Sequence, residues 1–219
     1  TGPQADTETE SERRARAEQL MDERARAQSP YCFIKLSSCV IGPYDDVVLP
    51  RNVAKPDWEL ELGVVIGTRA RHVKAADAMR HVAGFAVVND VTARDHIFRR
   101  DGSALGADWL SGKCFPTFLP FGPLIVPRQF VADPYNLTIT LSVNGVVYQN
   151  ETTADMMVNI ERQIEFLSDR VELLPGDVIC TGSPYGNGAA FGVFLKPADL
   201  IEGSITGLGR QRNVCVAEG

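Results

Sequence analysis

The chain has 219 residues, 44% of them hydrophobic and 23% charged, with a formal net charge of −6. This composition suits one globular domain, or one and a half, and excludes a disordered chain, a collagen-like fibre and a coiled coil. The acidic balance argues against a nucleic-acid partner, whose phosphates ask for a basic excess, and no apolar run nears the ~18 residues of a membrane span.

Residues 1–28 are dense in Glu and Arg, with Leu20 and Met21 as their only bulky apolar pair. They read as a charged helical segment: either a solvated helix laced with i,i+4 pairs, or a lid or partner-docking arm. From Ser29 and Pro30 onward the composition turns globular, so residues 29–219 form the expected main domain. Residues 57–67 place Leu60, Leu62, Val64 and Ile66 on one face and Glu59, Glu61 and Val65 on the other, which predicts a strand. Residues 74–82 read as a short helix, and 84–91 (GFAVVNDV) as a short buried strand ending in polar residues. Residues 136–149 read as a hairpin, with Leu137, Ile139, Leu141 and Val143 alternating and Asn144-Gly145 supplying a type I′ turn. Thr152 or Thr153 caps a helix running to about Leu167, whose stripe of Met156, Met157, Ile160, Ile164 and Leu167 is expected in the core. Pro175-Gly176-Asp177 leads into a strand at 178–181, and later glycines mark turns between short strands. The expected fold class is mostly β, of the α+β kind, with few helices and no internal repeat.

Five cysteines form an odd count with no C-x-x-C pair, which argues against a disulfide framework and a zinc knuckle. No charged start leads into an apolar core, so no signal peptide is expected. A cytoplasmic setting follows.

Glu59 and Glu61 project from one face of a strand, ~7 Å apart. Two carboxylates so close repel unless one is neutral or a cation lies between them. A hard divalent ion with oxygen ligands meets that need. The alternative is a solvent-facing strand whose polar face happens to be acidic, and the pair alone leans that way. Asp90 tips the balance, because it ends a strand too apolar to be exposed. With it, two glutamates and an aspartate make a three-carboxylate site for Mg²⁺ or Mn²⁺.

The strings DWELELGVVIG, HVAGFAVVNDVTARD, SGKCFPTFLPFGPLIVP, VNG, LLPGDVICTGSPYGNG and IEGSITGLGRQRN follow one another between about Tyr31 and the C-terminus. Together they resemble the fumarylacetoacetate hydrolase family. The resemblance implies a twisted, mixed β-sandwich roll, usually a homodimer. It also implies a Mg²⁺ or Mn²⁺ ion, with Ca²⁺ as a further candidate, chelated by a small 2-oxo or 2,4-diketo acid substrate. The family's metal carboxylates fall on Glu59, Glu61 and Asp90. Its substrate-binding lysine, also a catalytic candidate, falls on Lys113, and the arginine of its ARD motif, a further substrate-binding candidate, on Arg94. Its carboxylate-contacting turn falls on Thr181, Gly182 and Ser183. The roles are chemically sound, since enolate charge developing as a C–C bond breaks is stabilised by a metal and an ammonium. Turn amides and hydroxyls donate hydrogen bonds to a carboxylate.

Two departures stand out. Hydrolytic members carry a histidine, and a glutamate three residues later, in an N-terminal lid helix. Here no histidine precedes His72. The nearest alignment puts Thr7 in the histidine's place and Glu10 in the glutamate's. Threonine cannot act as a general base near neutral pH, so hydrolysis would fall to Glu10, or to Glu8 or Glu12. Relatives also often carry a glutamine three residues past the arginine. Here that residue is Ile97, beside His96, which is either a proton shuttle or a packing histidine. The chain begins near the start of the family's barrel, so no upstream domain is expected. The first functional reading is hydrolytic C–C cleavage of an acylpyruvate or 2,4-diketo acid. The alternative, which the missing histidine favours, is a metal-dependent decarboxylase, tautomerase or isomerase of oxaloacetate-like acids. A dimeric binding module is the non-enzymatic reading.

Overall fold

A run of branched apolar residues needs cover on both faces, and the strand carrying Glu61 has it: all of Leu60–Ile66 is buried. The computed structural model describes residues 9–26, 30–98 and 106–219. In chain order the elements begin with α1 (Glu10–Arg26), β1 (Val40–Ile41), β2 (Val47–Leu49), β3 (Pro56–Asp57) and β4 (Leu60–Ile66). There follow α2 (Ala75–Ala78), β5 (Val82–Asn89), β6 (Thr92–Ala93), α3 (Arg94–Ile97), α4 (Trp109–Lys113), β7 (Leu119–Pro120) and β8 (Val126–Pro127). The last are β9 (Thr138–Val143), β10 (Val146–Thr152), α5 (Ile160–Arg170), β11 (Val178–Cys180), α6 (Gly188–Phe191), β12 (Leu200–Ile205) and β13 (Gly209–Ala217). The protein is mostly strand with few helices, as the sequence predicts.

Two larger sheets face each other across one apolar core. One has the strand order β11-β4-β5-β8, the other β10-β9-β12-β13-β2. Leu60, Leu62, Val64 and Phe85 from the first sheet share the core with Ile139, Leu141, Ile201 and Ile205 from the second. The sheets close tightly at Gly203, where a Cβ would lie 2.6 Å from Leu60 Cδ1. Antiparallel β4 and β5 pair Leu60 with Asn89 and Glu61 with Val88. That register brings the entry of one strand beside the exit of the other, with the Asp90 amide donating to the Glu59 carbonyl at 2.8 Å. The β9–β10 hairpin turns at Asn144 and Gly145 with φ of 51° and 79°, the expected type I′ conformation.

One helix starts later than its sequence suggests. Thr152 caps only a single 3₁₀ turn, accepting from Ala154 N at 3.2 Å. The helix itself begins at Ile160, capped by the Asn159 side chain, which accepts from Arg162 N at 3.0 Å. Extended backbone at Asn159 stops propagation, so Met156 and Met157 lie off the helix, and Met157 is exposed rather than in the core. Ile160 and Ile164 are buried as expected.

Within the charged segment, Glu10–Arg26 form α1. Thr9 and Glu12 close a capping box, the Glu12 carboxylate accepting from Thr9 N at 2.8 Å and Thr9 Oγ1 from Glu12 N at 3.3 Å. Arg14 reaches Glu18 at 3.1 Å along the helix and grips Glu151 with two nitrogens, at 3.0 and 3.2 Å. Its guanidinium also lies 5.6 Å from the centre of the Tyr185 ring. Among the described residues no helix is long and apolar enough to cross a membrane.

Candidate metal centre

The strand pairing delivers three carboxylates to one place. Glu59 precedes β4, Glu61 sits within it and Asp90 follows β5, and each offers an oxygen lying within 4.8 Å of the others. All three are buried. The backbone at Glu59 is clamped from two directions: Glu59 N donates to Asn89 Oδ1 at 3.0 Å and Leu60 N to Gln149 Oε1 at 3.1 Å.

Three cations brace this cluster. The Lys113 ammonium, at the end of α4, lies 2.6 Å from Glu59 Oε2 and 2.5 Å from Asp90 Oδ2. Lys35 lies 2.6 Å from Asp90 Oδ1 and donates to Val91 O at 2.8 Å. Arg94 reaches Glu59 Oε1 at 2.6 Å and Asp57 Oδ2 at 2.7 Å. Burial works to lower the Lys113 ammonium, yet Glu59, Asp90 and Glu61 hold it far above its ordinary value, so it stays charged. Burial works to raise Asp90, yet Lys35 and Lys113 keep it below the usual carboxylate range.

Glu61 is the exception. It accepts from Gly182 N at 2.8 Å and has no ion-pair partner among the described residues. Burial, and then the charges of Asp90 and Glu59, push its carboxyl well up. A buried carboxyl short of positive charge, beside two more hard oxygen donors, fits a divalent cation such as Mg²⁺ or Mn²⁺. The neighbouring Cys180 thiol is pushed up by burial and by Glu61 and Asp90, and so stays protonated.

The turn after β11 has spent most of its donors. The Thr181 amide and hydroxyl both go to Leu62 O, at 3.1 and 2.9 Å. Gly182, at φ 101°, turns its amide to Glu61. Ser183 Oγ accepts from Asn187 Nδ2 at 3.0 Å and keeps its own hydrogen to donate. On the other side, Phe33 stacks on Trp109 at 4.7 Å, and its ring centre lies 4.9 Å from the Lys113 ammonium.

Other candidates lie apart. His96 Nε2 is 2.8 Å from Asn52 O, and the ring stands edge-on to Phe115 at 5.6 Å, which is the packing arrangement. His72 pairs with Asp169 and His81 with Thr68. These are all the histidines of the chain, and none contacts the carboxylates. Glu10 opens α1, but its side chain lies outside the described residues, as do Thr7 and Glu8. Glu12 is committed to the capping box. Sequence reasoning missed two members of the network, Lys35 and Asp57. Lys35 closes the short sequence Phe33-Ile34-Lys35 at the start of the globular part, a stretch with no periodic pattern to mark it.

A mostly-β core that presents a buried acidic trio between bracing lysines and an arginine defines the class. The chain belongs to the fumarylacetoacetate hydrolase family: the family model for the fumarylacetoacetate (FAA) hydrolase C-terminal domain matches residues 5–216. Human mitochondrial oxaloacetate tautomerase FAHD2B is 48% identical over 184 residues, 83% of this chain and 57% of the relative. The chain therefore spans little more than half the length of that relative. A 5-carboxymethyl-2-hydroxymuconate delta-isomerase from Mycobacterium smegmatis matches with a TM-score of 0.77 at 34% identity, covering 87% of this chain and 72% of the other. A fumarylpyruvate hydrolase from Pseudomonas aeruginosa, solved with Mn²⁺ and pyruvate, matches with a TM-score of 0.78 at 29% identity, over 86% and 79% of the two chains. The tautomerase relative is mitochondrial by name, where the sequence alone suggested a cytoplasmic setting.

Proposed function

We propose that this chain is the catalytic part of a divalent-cation-dependent keto–enol tautomerase acting on a small 2-oxo acid of the oxaloacetate type. One observation carries the reading: the acidic trio is braced by lysine and arginine, and every histidine of the chain is engaged elsewhere. Tautomerisation moves a proton between carbon and oxygen of one molecule and needs no activated water. The 48% identity to an oxaloacetate tautomerase supports it.

Glu59, Glu61 and Asp90 would hold the cation, with Mg²⁺ or Mn²⁺ suited to their oxygens and Ca²⁺ a further candidate. When bound, it supplies Lewis-acid polarisation of the 2-oxo group. Lys113, kept charged by its carboxylates, stabilises the negative charge that develops on the substrate oxygen. Arg94 holds Glu59 in place. The Ser183 hydroxyl, carried by the Thr181-Gly182 turn, binds a substrate carboxylate. His96 keeps the packing role its contacts describe. The exposed apolar residues Tyr31, Ile34, Leu36 and Val40 support a homodimer.

C–C hydrolysis of an acylpyruvate is the second reading. It is favoured by the likeness to the fumarylpyruvate hydrolase. It is also favoured by Glu10, one helical turn before the Arg14 that α1 sets against Glu151 and Tyr185. The enol absorbance of oxaloacetate and of acetylpyruvate, followed with Mg²⁺ or Mn²⁺ and with EDTA, separates the two. Metal-dependent interconversion of oxaloacetate tautomers supports the first reading. Metal-dependent release of pyruvate and acetate from acetylpyruvate establishes the second. No change in either substrate overturns both.

A further inference from the structure

Asp57 is wholly buried and collects four donors on its two oxygens. Oδ1 accepts from Trp58 N at 2.8 Å and from Gly188 N at 2.7 Å. Oδ2 accepts from Ala189 N at 3.1 Å and from Arg94 Nε at 2.7 Å. The same guanidinium continues through its Nη2 to Glu59 Oε1 at 2.6 Å. One carboxylate thus joins the loop that follows the turn at 181–183 to the arginine that braces a candidate cation ligand.

The approach is built into the backbone. A Cβ on Gly188 would lie 2.2 Å from Val193 O and 2.8 Å from Asp57 Oδ1, so only glycine brings that amide to the carboxylate. Trp58 anchors the other side of the loop, its indole donating to Gly186 O at 2.9 Å. The loop amides and the guanidinium meet on this one carboxylate. Asp57 holds both, and the guanidinium leads to Glu59.

We propose that Asp57 is a positioning residue: acting through Arg94, it fixes the Glu59 carboxylate for divalent-cation binding and couples that orientation to the loop carrying Ser183. The proposal rests on reading the acidic trio as a cation site. Hydrogen-bond partners standing behind a metal ligand set its orientation, and losing one typically costs roughly ten- to a hundredfold in metal affinity or activity.

The test is a Mn²⁺ titration followed by the electron paramagnetic resonance signal of the free ion, without substrate. It compares the wild-type chain, Asp57→Asn, Arg94→Gln and the double variant, each first checked for folding by circular dichroism. Asp57→Asn is expected to weaken Mn²⁺ binding about tenfold or more. Because it acts through Arg94, the double variant should bind no more weakly than Arg94→Gln alone. Unchanged Mn²⁺ affinity in a folded Asp57→Asn, or losses that simply add, overturns the inference and leaves the functional reading intact. If Asp57→Asn does not fold, Arg94→Gln breaks the same link from its other end, and wild-type affinity there overturns it. Failure of the wild-type chain to bind Mn²⁺ overturns the functional reading and this inference together.

Discussion

Glu59 and Asp90 share one ammonium group. They lie at the adjoining ends of two antiparallel strands, and the Lys113 side chain bridges them at 2.6 and 2.5 Å in a buried setting. Removing one member of such a buried set leaves uncompensated charge behind.

Replacing Lys113 with methionine leaves Glu59 and Asp90 facing each other without their common partner. The variant is expected to lose about 3–5 kcal/mol of stability in EDTA and to recover part of it with Mn²⁺. Turnover should fall by about a hundredfold or more even with the metal present, since the ammonium stabilises developing charge. Thermal melts in EDTA and in Mn²⁺ check this. A Lys113→Met protein melting like wild type in EDTA contradicts it.

Wild-type protein is expected to gain stability on addition of Mg²⁺ or Mn²⁺, by about 2.7 kcal/mol at a hundredfold excess over Kd. Glu61→Gln should lose most of that gain, because this buried carboxyl has no ion-pair partner among the described residues. Glu59→Gln should abolish turnover. Melting temperature against metal concentration, read alongside the rate, settles both points. Activity surviving Glu59→Gln would show that the metal assignment is wrong.

Cys215 is wholly buried, and burial, with Asp199 and Asp46 adding, pushes its thiol from 9.0 up to about 12. The folded state therefore holds its proton over a range where the unfolded state has released it. Stability from this source is complete below the unfolded pKa and is lost as pH rises toward 12, at up to about 1.4 kcal/mol per pH unit. Cys215→Ala should be less stable near neutrality but lose stability less steeply at alkaline pH. Urea unfolding of both proteins near neutral and at alkaline pH measures the slopes, and equal slopes would sink the idea.

Gly203→Ala places a methyl 2.6 Å from Leu60 Cδ1, where the two sheets pack against each other. Overpacking of this kind costs about 1–3 kcal/mol. Adding Leu60→Val should return part of the loss, since the pair touches. Denaturation midpoints for the single and double variants test it, and strict additivity would refute the contact.

Much of this protein can be read along its strands. The alternation at 57–67 placed Glu59 and Glu61 together, and the apolar body of 84–91 carried Asp90 to a buried end, because period-two patterns report which side chains share a face. Asn144-Gly145 announced its hairpin through backbone chemistry that few residue pairs tolerate. Lys35 and Asp57 were invisible by the same logic. Lys35 meets Asp90 across 55 residues from a stretch with no period. Asp57 meets Gly188 and Ala189 across 131 and 132 residues. The late start of α5 was missed because two nearby sites offer a cap, Thr152 and Asn159, and the first caps only a single 3₁₀ turn.

The amides of Glu59 and Leu60 are not held by the regular strand ladder but by two side-chain amides arriving from different strands, Asn89 of β5 and Gln149 of β10. The backbone beneath the Glu59 carboxylate is thereby immobilised during folding, before any cation or substrate arrives. A ligand meeting this group orders only its side-chain torsions, and the conformational entropy of the main chain is already spent. Binding strength at this position is thus set in part by two neutral residues that never touch the ligand.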